Sequence, residues 1–276
     1  MRFALTILFI LCAINPCQPQ AASPATTIIV GTAGTSVCTA ANPEGNCAGF
    51  NVCQNFEGAG VDNSETSIWA FEDGGDGEAD PDYTSSPLRG SQSLLLDDAT
   101  SSGTYGVVKW SDDTGVAAQY FHFRIKVLDY PDVGDEYHGY SREIFHTYHL
   151  EGTNPPSYIE DHELIYISTT GVLRVTFYGY YNENDAVGST QLAIGTEYHV
   201  WLYINRSSTS SGSGWLKLST SGTIPSGNEI EWSGKPISAT YAYMTAAGFT
   251  TKHGENYSFI IDQVLFDESA IGSVCD

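Results

Sequence analysis

The stretch Ser258-Phe259-Ile260-Ile261-Asp262-Gln263-Val264-Leu265-Phe266-Asp267-Glu268, followed by Ser269-Ala270-Ile271-Gly272, decides how this chain is read. β-Branched and aromatic residues suit a pleated, half-buried surface, so a run this rich in them, closing on acidic residues and Gly, predicts a strand entering a turn. Asp262 breaks the apolar pattern. A carboxylate inside such a strand has to be solvated, hydrogen-bonded or metal-bound, because an unpaired buried charge costs several kcal/mol or neutralises itself. What Asp262 meets is therefore the first question for the fold.

Working outward, strand signals recur with Gly, Ser, Asn and Asp between them: Ser93–Leu96, Tyr105–Trp110, Ala118–Val127, Ser141–Leu150, Glu163–Ser168, Val172–Tyr180, Glu197–Asn205, Trp215–Ser219 and Ala242–Thr250, then Tyr257–Phe266. No amphipathic helix and no internal repeat interrupts them. Many short strands of this kind predict an all-β protein, an antiparallel two-sheet β-sandwich. The segment from Ala59 to Gly90, with Phe71-Glu72-Asp73-Gly74-Gly75-Asp76-Gly77-Glu78-Ala79-Asp80-Pro81-Asp82, has a composition that predicts neither strand nor helix. Its carboxylates lack the spacing of an EF-hand and read as a solvated acidic loop.

The chain has 276 residues. Met1-Arg2-Phe3 and the apolar run that follows, too short to span a bilayer, read as a secretory signal peptide over residues 1–25. Residues 26–53 read as an irregular, disulfide-pinned extension, and residues 54–276 as one sandwich domain. Export leaves Cys38, Cys47, Cys53 and Cys275, for which disulfides are expected. Of the possible connectivities, Cys38 with Cys47 and Cys53 with Cys275 are the expected pair. A four-thiolate zinc site would need C-x-x-C spacing that is not present. With 33 acidic against 11 basic residues and a net charge of −22, the bulk field opposes nucleic acid and anionic membranes. No later segment is apolar enough for membrane insertion, and a monomer at an extracellular, periplasmic or cell-surface location is expected.

Alternation separates the middle strands into two faces. Phe121, Phe123, Ile125 and Val127 oppose Tyr120, His122, Arg124 and Lys126; Leu173, Val175 and Phe177 oppose Arg174, Thr176, Tyr178 and Tyr180; Val200, Leu202 and Ile204 oppose His199, Trp201 and Tyr203. The apolar sides predict the core. If these strands share a sheet, His122, Arg124, Arg174, Tyr178, Tyr180, His199 and Trp201 form an aromatic and basic groove. Flat rings stack on pyranose faces and guanidinium pairs hydroxyls or carboxylates, so the expected ligand is a polysaccharide or glycan.

Glu197-Tyr198-His199-Val200-Trp201-Leu202-Tyr203-Ile204, the hairpin Gly214-Trp215-Leu216-Lys217-Leu218 and the closing strand Phe259–Phe266 resemble laminin-G-like jelly rolls of the concanavalin A-like lectin and glucanase superfamily. Asn55-Phe56-Glu57-Gly58 and Gly90-Ser91-Gln92-Ser93-Leu94 are similar to segments of β-sandwich carbohydrate-binding modules. The resemblance spans roughly residues 54 to 274 and implies fold more than function, because this sandwich carries lectins, adhesion modules, hydrolases and lyases. It also implies a structural Ca2+ beside the joined first and last strands, with Glu57 and Asp262 as ligands and carbonyls near Gly90 or Ser91 completing the oxygen shell.

For catalysis, the carboxylates of Glu160-Asp161-His162-Glu163 fall on both faces of a strand, unlike a glycosidase cluster. Ser141-Arg142-Glu143-Ile144-Phe145-His146 partly resembles the R-x-E strand of polysaccharide lyases of the alginate-lyase type, with Glu143 directly after Arg142. Val175–Asn182 is aromatic and Gly-containing like another lyase segment, without its lysine. Such a lyase would use Arg142, His146, Arg174 and Tyr178 on an acidic, uronate-containing polysaccharide. The sequence alone favours a non-catalytic, secreted, lectin-like protein; the alternatives are that lyase and a cell-surface adhesion module.

Overall fold

The computed structural model describes residues 52–54, 56, 69–73, 78–98, 106–132, 143–151, 157–177, 186–208, 211–235, 244–251 and 256–276. The expected signal segment and most of the extension, with Cys38 and Cys47, lie outside them, as do Glu57, Arg142, Tyr178 and Tyr180. Among the described residues there is no helix. The strands are β1 (Val52–Gln54), β2 (Trp69–Asp73), β3 (Glu78–Tyr83), β4 (Ser93–Asp98), β5 (Gly106–Val116), β6 (Ala118–Asp129), β7 (Glu143–Glu151), β8 (Ser157–Ile167), β9 (Val172–Phe177), β10 (Ala186–Gln191), β11 (Glu197–Ser208), β12 (Ser211–Ser219), β13 (Ile230–Lys235), β14 (Met244–Thr250) and β15 (Tyr257–Asp267).

They form two antiparallel sheets. An eight-stranded sheet runs β13-β12-β11-β6-β15-β4-β3 with β1 also on β15, and a seven-stranded sheet runs β10-β9-β8-β7-β14-β5-β2. Between them lies the core predicted by alternation: Phe121, Phe123, Ile125 and Val127 of β6, Leu173, Val175 and Phe177 of β9, and Val200, Leu202 and Ile204 of β11. Phenylalanines lock the layers together, with Phe121 5.1 Å from Phe145 and 4.8 Å from Phe266, and Phe123 4.9 Å from Phe249 between ring centroids. Each such ring contributes about 2–3 kcal/mol of burial.

Three sequence expectations change. The acidic segment does form strands, β2 and β3, because edge positions pair with β5 and β4 in spite of composition. The partner of the closing strand at the N-terminal side is Val52–Gln54, paired with Phe266–Val264, although residues up to 53 were expected to be irregular. Finally, β9 belongs to the seven-stranded sheet while β6 and β11 belong to the other, so the strands assumed to share one sheet do not.

The closing strand is central: β15 lies between β6 and β4 and is almost wholly buried. Its alternation places Phe259 and Ile261 in the core and leaves Ile260 and Asp262 on the outer face. Register shifts between Asp262 and Leu265, where Gln263 adopts φ 45° as a bulge, and Val264 and Phe266 resume the inward side. The bulge resolves the break in pattern. Asp262 pairs in register with Arg124, its Oδ2 accepts from the Ser93 hydroxyl (2.8 Å) and the Arg89 amide (3.1 Å), and its Oδ1 accepts from the Gln263 amide (2.7 Å).

Candidate functional site

The outer face of the eight-stranded sheet carries His122, Arg124, His199 and Trp201 together, as expected, but as a packed layer. Their exposures are 0%, 0%, 2% and 0%. Residues 268–276 cross over them: the Trp201 indole donates to the Gly272 carbonyl at 3.1 Å, Arg124 donates to the Cys275 carbonyl, and the Val274 amide donates to the Gly222 carbonyl at 2.7 Å. Trp201, Leu265 and Ile271 make a small apolar cluster beneath this strap. Arg124 also donates to Glu197 and to the Gln263 side chain (2.8 Å). The two imidazoles meet at 3.2 Å, Nε2 of His122 to Nδ1 of His199. Burial first, then His199 and Arg124, holds His122 well below the ordinary imidazole range. Burial and then Arg124 push His199 down to about 3. Both rings are neutral at pH 7, and no sugar reaches them while the strap is in place.

Arg174, assigned to the same groove from sequence, stands on the opposite sheet. There it meets a different set. Tyr166 of β8 pairs with Arg174 of β9 on one side and with Glu143 of β7 on the other, so Glu143, Tyr166 and Arg174 form one row. The next row holds Gly248, His146, Leu164 and Thr176. Glu143, Tyr166 and Arg174, and His146 and Thr176 of the next row, face outward, since Ile144, Phe145, Ile165, Val175 and Phe177 fill the core.

Simple alternation would put Glu143 and His146 on opposite faces. A register shift between Glu143 and Phe145 turns both Ile144 and Phe145 inward and brings Glu143 and His146 to the same side. Glu143 Oε2 then lies 2.6 Å from His146 Nε2, with the side chains 0% and 2% exposed. The carboxylate and the imidazole are therefore in direct contact inside the packed layer. The Tyr257 hydroxyl, from β15 of the other sheet, donates to the Glu143 carbonyl at 2.8 Å and pins the start of β7 across the sandwich. Arg174 is half-buried, its guanidinium 5.9 Å from the Tyr166 ring centroid, and its Nε is buried without a hydrogen-bond partner. Arg174 keeps surface toward solvent and can hold an anion, while Glu143, His146 and Tyr166 are 0%, 2% and 5% exposed, so proton transfer between them and a sugar requires this face to open.

Of the residues singled out from sequence for a lyase, His146 and Arg174 are thus brought to one face; Arg142 and Tyr178 lie outside the described residues. Glu143 as the partner of His146, and Tyr166, were missed. Their signal was faint: adjacent apolar residues Ile144-Phe145 inside an otherwise alternating strand mark the bulge.

Both Asp262 oxygens accept hydrogen bonds from N–H or O–H donors, and Glu57, the other expected Ca2+ ligand, lies outside the described residues. Among the described residues no group of three or more His, Cys, Asp or Glu could hold a metal ion. Cys275 is buried and disulfide-bonded. Cys53 sits in β1 opposite Leu265, and its side chain is outside the described set.

No protein family's sequence profile matches the chain, and no curated protein matches it. Solved structures do. An endo-β-1,4-glucuronan lyase from the fungus Trichoderma reesei is similar over 82% of this chain and 99% of its own, at 11% identity and a TM-score of 0.53. The metal-free carbohydrate-recognition domain of Emp46p is similar over 80% of this chain and 99% of its own, at 10% identity and a TM-score of 0.46. The exoplasmic/lumenal domain of VIP36 bound to Ca2+ and Man3GlcNAc is similar over 79% and 88%, at 11% identity and a TM-score of 0.44. At these identities the likeness shows fold alone: an antiparallel two-sheet β-sandwich.

Proposed function

We propose that the chain is a polysaccharide lyase that cleaves a uronate-containing polysaccharide by β-elimination on the outer face of the seven-stranded sheet. One observation carries the reading: the buried Glu143–His146 contact at 2.6 Å, in register beside Tyr166 and Arg174. The fold shared with a glucuronan lyase is compatible with the reading, which stands on these residues rather than on that likeness.

In this mechanism the Arg174 fork pairs the uronate carboxylate, drawing charge away from the adjacent carbon and making its C–H more acidic. His146, positioned by Glu143, takes that proton. The C–H electron pair forms the new carbon–carbon double bond as the bond to the glycosidic oxygen breaks. The leaving oxygen takes a proton from the Tyr166 phenol, which solvent restores. General acid and base groups of this kind each contribute about 10²–10⁴-fold. The reading places the protein outside the cell, in keeping with the leader expected at its N-terminus.

The test is incubation with glucuronan, alginate, pectate and glycosaminoglycans, following the ultraviolet absorbance of unsaturated uronate ends. Signal from one of them, lost in His146→Gln, supports the reading; glycan binding without signal on any of them leaves a lectin and removes it.

A further inference from the structure

The strap covers only part of the outer face of the eight-stranded sheet. One row further along, Asp267 pairs with Tyr120, Tyr120 with Tyr203, Tyr203 with Trp215, and Trp215 with Glu231. Five neighbouring strands thus present an in-register line of three rings with a carboxylate at each end. At ~4.8 Å between strands the line is about 19 Å long, and its rungs are spaced close to the length of one pyranose unit.

The rings brace one another. Tyr120 and Tyr203 stack at 4.5 Å, Trp215 lies 5.8 Å from Tyr203 and 6.2 Å from Tyr120, and Lys217 Nζ sits 5.1 Å over the indole while donating to the Pro225 carbonyl at 2.8 Å. All three rings are half-buried, so each keeps surface toward solvent. On one side the strap and the loop after β12 rise as a wall, with Ile271, Ile224 and Val274 packed in the cluster that also touches Tyr120 and Trp215. On the other side the next row is Ala118, Asn205 and Ser213, short residues that leave a shelf. Glu231 is exposed and already accepts from the Asn228 amide at 2.9 Å.

We propose that this ladder, Tyr120–Tyr203–Trp215 with Asp267 and Glu231 at its ends, is a second carbohydrate-binding surface, and that it takes a neutral polysaccharide. Pre-stacked aromatic rings lose little side-chain entropy on binding and offer apolar surface and phenol hydroxyls to a sugar ring. The exposed Glu231 carboxylate accepts hydrogen bonds from sugar hydroxyls and repels uronates, on a chain whose net charge is −22, while Asp267, 8% exposed and holding the Ser269 amide at 2.6 Å, closes the other end of the line. The surface is on the sheet opposite Arg174 and is independent of the lyase reading. The chemistry of the two faces differs: a guanidinium on one selects an acidic chain, and the Glu231 carboxylate on the other selects against it.

The experiment is co-sedimentation of the full chain with insoluble cellulose, mannan and β-1,3-glucan, and gel retardation in soluble alginate as the acidic counter-probe. Wild type is expected to bind at least one neutral polymer, with affinity falling about tenfold in Trp215→Ala. Glu231→Arg, at an exposed position, should weaken neutral binding without changing the melting temperature, and it keeps the test open if Trp215→Ala is unstable. Absence of binding to every neutral polymer would overturn the proposal. So would unchanged binding in both variants, or alginate retardation that falls in step with neutral binding when Trp215 is removed.

Discussion

Acidification should destabilise the fold through the His122–His199 pair well before carboxylates titrate. Both rings are buried and held neutral: His122 well below the ordinary 6.5, by burial first and then by His199 and Arg124, and His199 at about 3 by burial and Arg124. In the unfolded chain both titrate near 6.5, so between pH 6.5 and 3 the unfolded state binds more protons. The stabilisation is complete above 6.5 and is lost as pH falls. For one imidazole that stays neutral in the fold, going from pH 7 to pH 5 costs about 1.9 kcal/mol, at about 1.36 kcal/mol per unit once well below 6.5. Two such rings cost about 4 kcal/mol, a large share of a typical total of about 5–15 kcal/mol. Urea unfolding at pH 7, 6 and 5 reads the change, and the same series on His199→Gln should show a loss smaller by about 1.9 kcal/mol, which cancels the other histidines. Stability that stays flat from pH 7 to 5, or a variant with the full wild-type loss, would refute neutral burial of the pair. A proton-resonance titration in which His199 shows an inflection near 6.5 in the folded protein would refute it too.

Asp262→Ala should cost about 3 kcal/mol in thermal or urea unfolding, since the Ser93 hydroxyl and the amides of Arg89 and Gln263 lose a buried acceptor. Added calcium or chelator should leave the wild-type melting temperature unchanged if Asp262 is a hydrogen-bond hub; a chelator-induced drop would restore the cation reading. Gly214→Ala should destabilise by about 1–3 kcal/mol, because a Cβ there overlaps the Tyr203 carbonyl and the Trp232 ring, and a neutral result would show that β12 can shift. Arg174→Lys keeps charge but loses the planar fork, so turnover of the uronate polymer should fall while melting temperature holds; unchanged kinetics would remove Arg174 from the site.

The layers of the sandwich were legible because alternation is a local signal. Phe121, Phe123 and Ile125, or Val200, Leu202 and Ile204, declare their inner face by period alone. The outer faces were not legible in the same way. Period two shows that His122 and Arg174 point away from a core, and says nothing about which sheet each strand joins or what lies over it. Residues 268–276 convert one outer face into a second interior, which is why a run of His, Arg and Trp that looked like a ligand groove is a packed layer. β-Bulges hid the rest. Gln263 explains how Asp262 sits in a buried strand, and the shift at Ile144 makes neighbours of Glu143 and His146, which strict alternation separates. The acidic strands β2 and β3 escaped because pairing at a sheet edge overrides composition.

The central claim is that the outer face of the seven-stranded sheet moves a proton. The most direct measurement is turnover of glucuronan and alginate by wild type, Glu143→Gln and His146→Gln, read as ultraviolet absorbance of new unsaturated ends, with unfolding followed alongside. The account predicts absorbance growth in wild type, a loss of at least about 10²-fold in His146→Gln and a smaller loss in Glu143→Gln, in chains that remain folded. Wild-type rates in a folded His146→Gln, or no turnover of any uronate polymer by wild type, would contradict it.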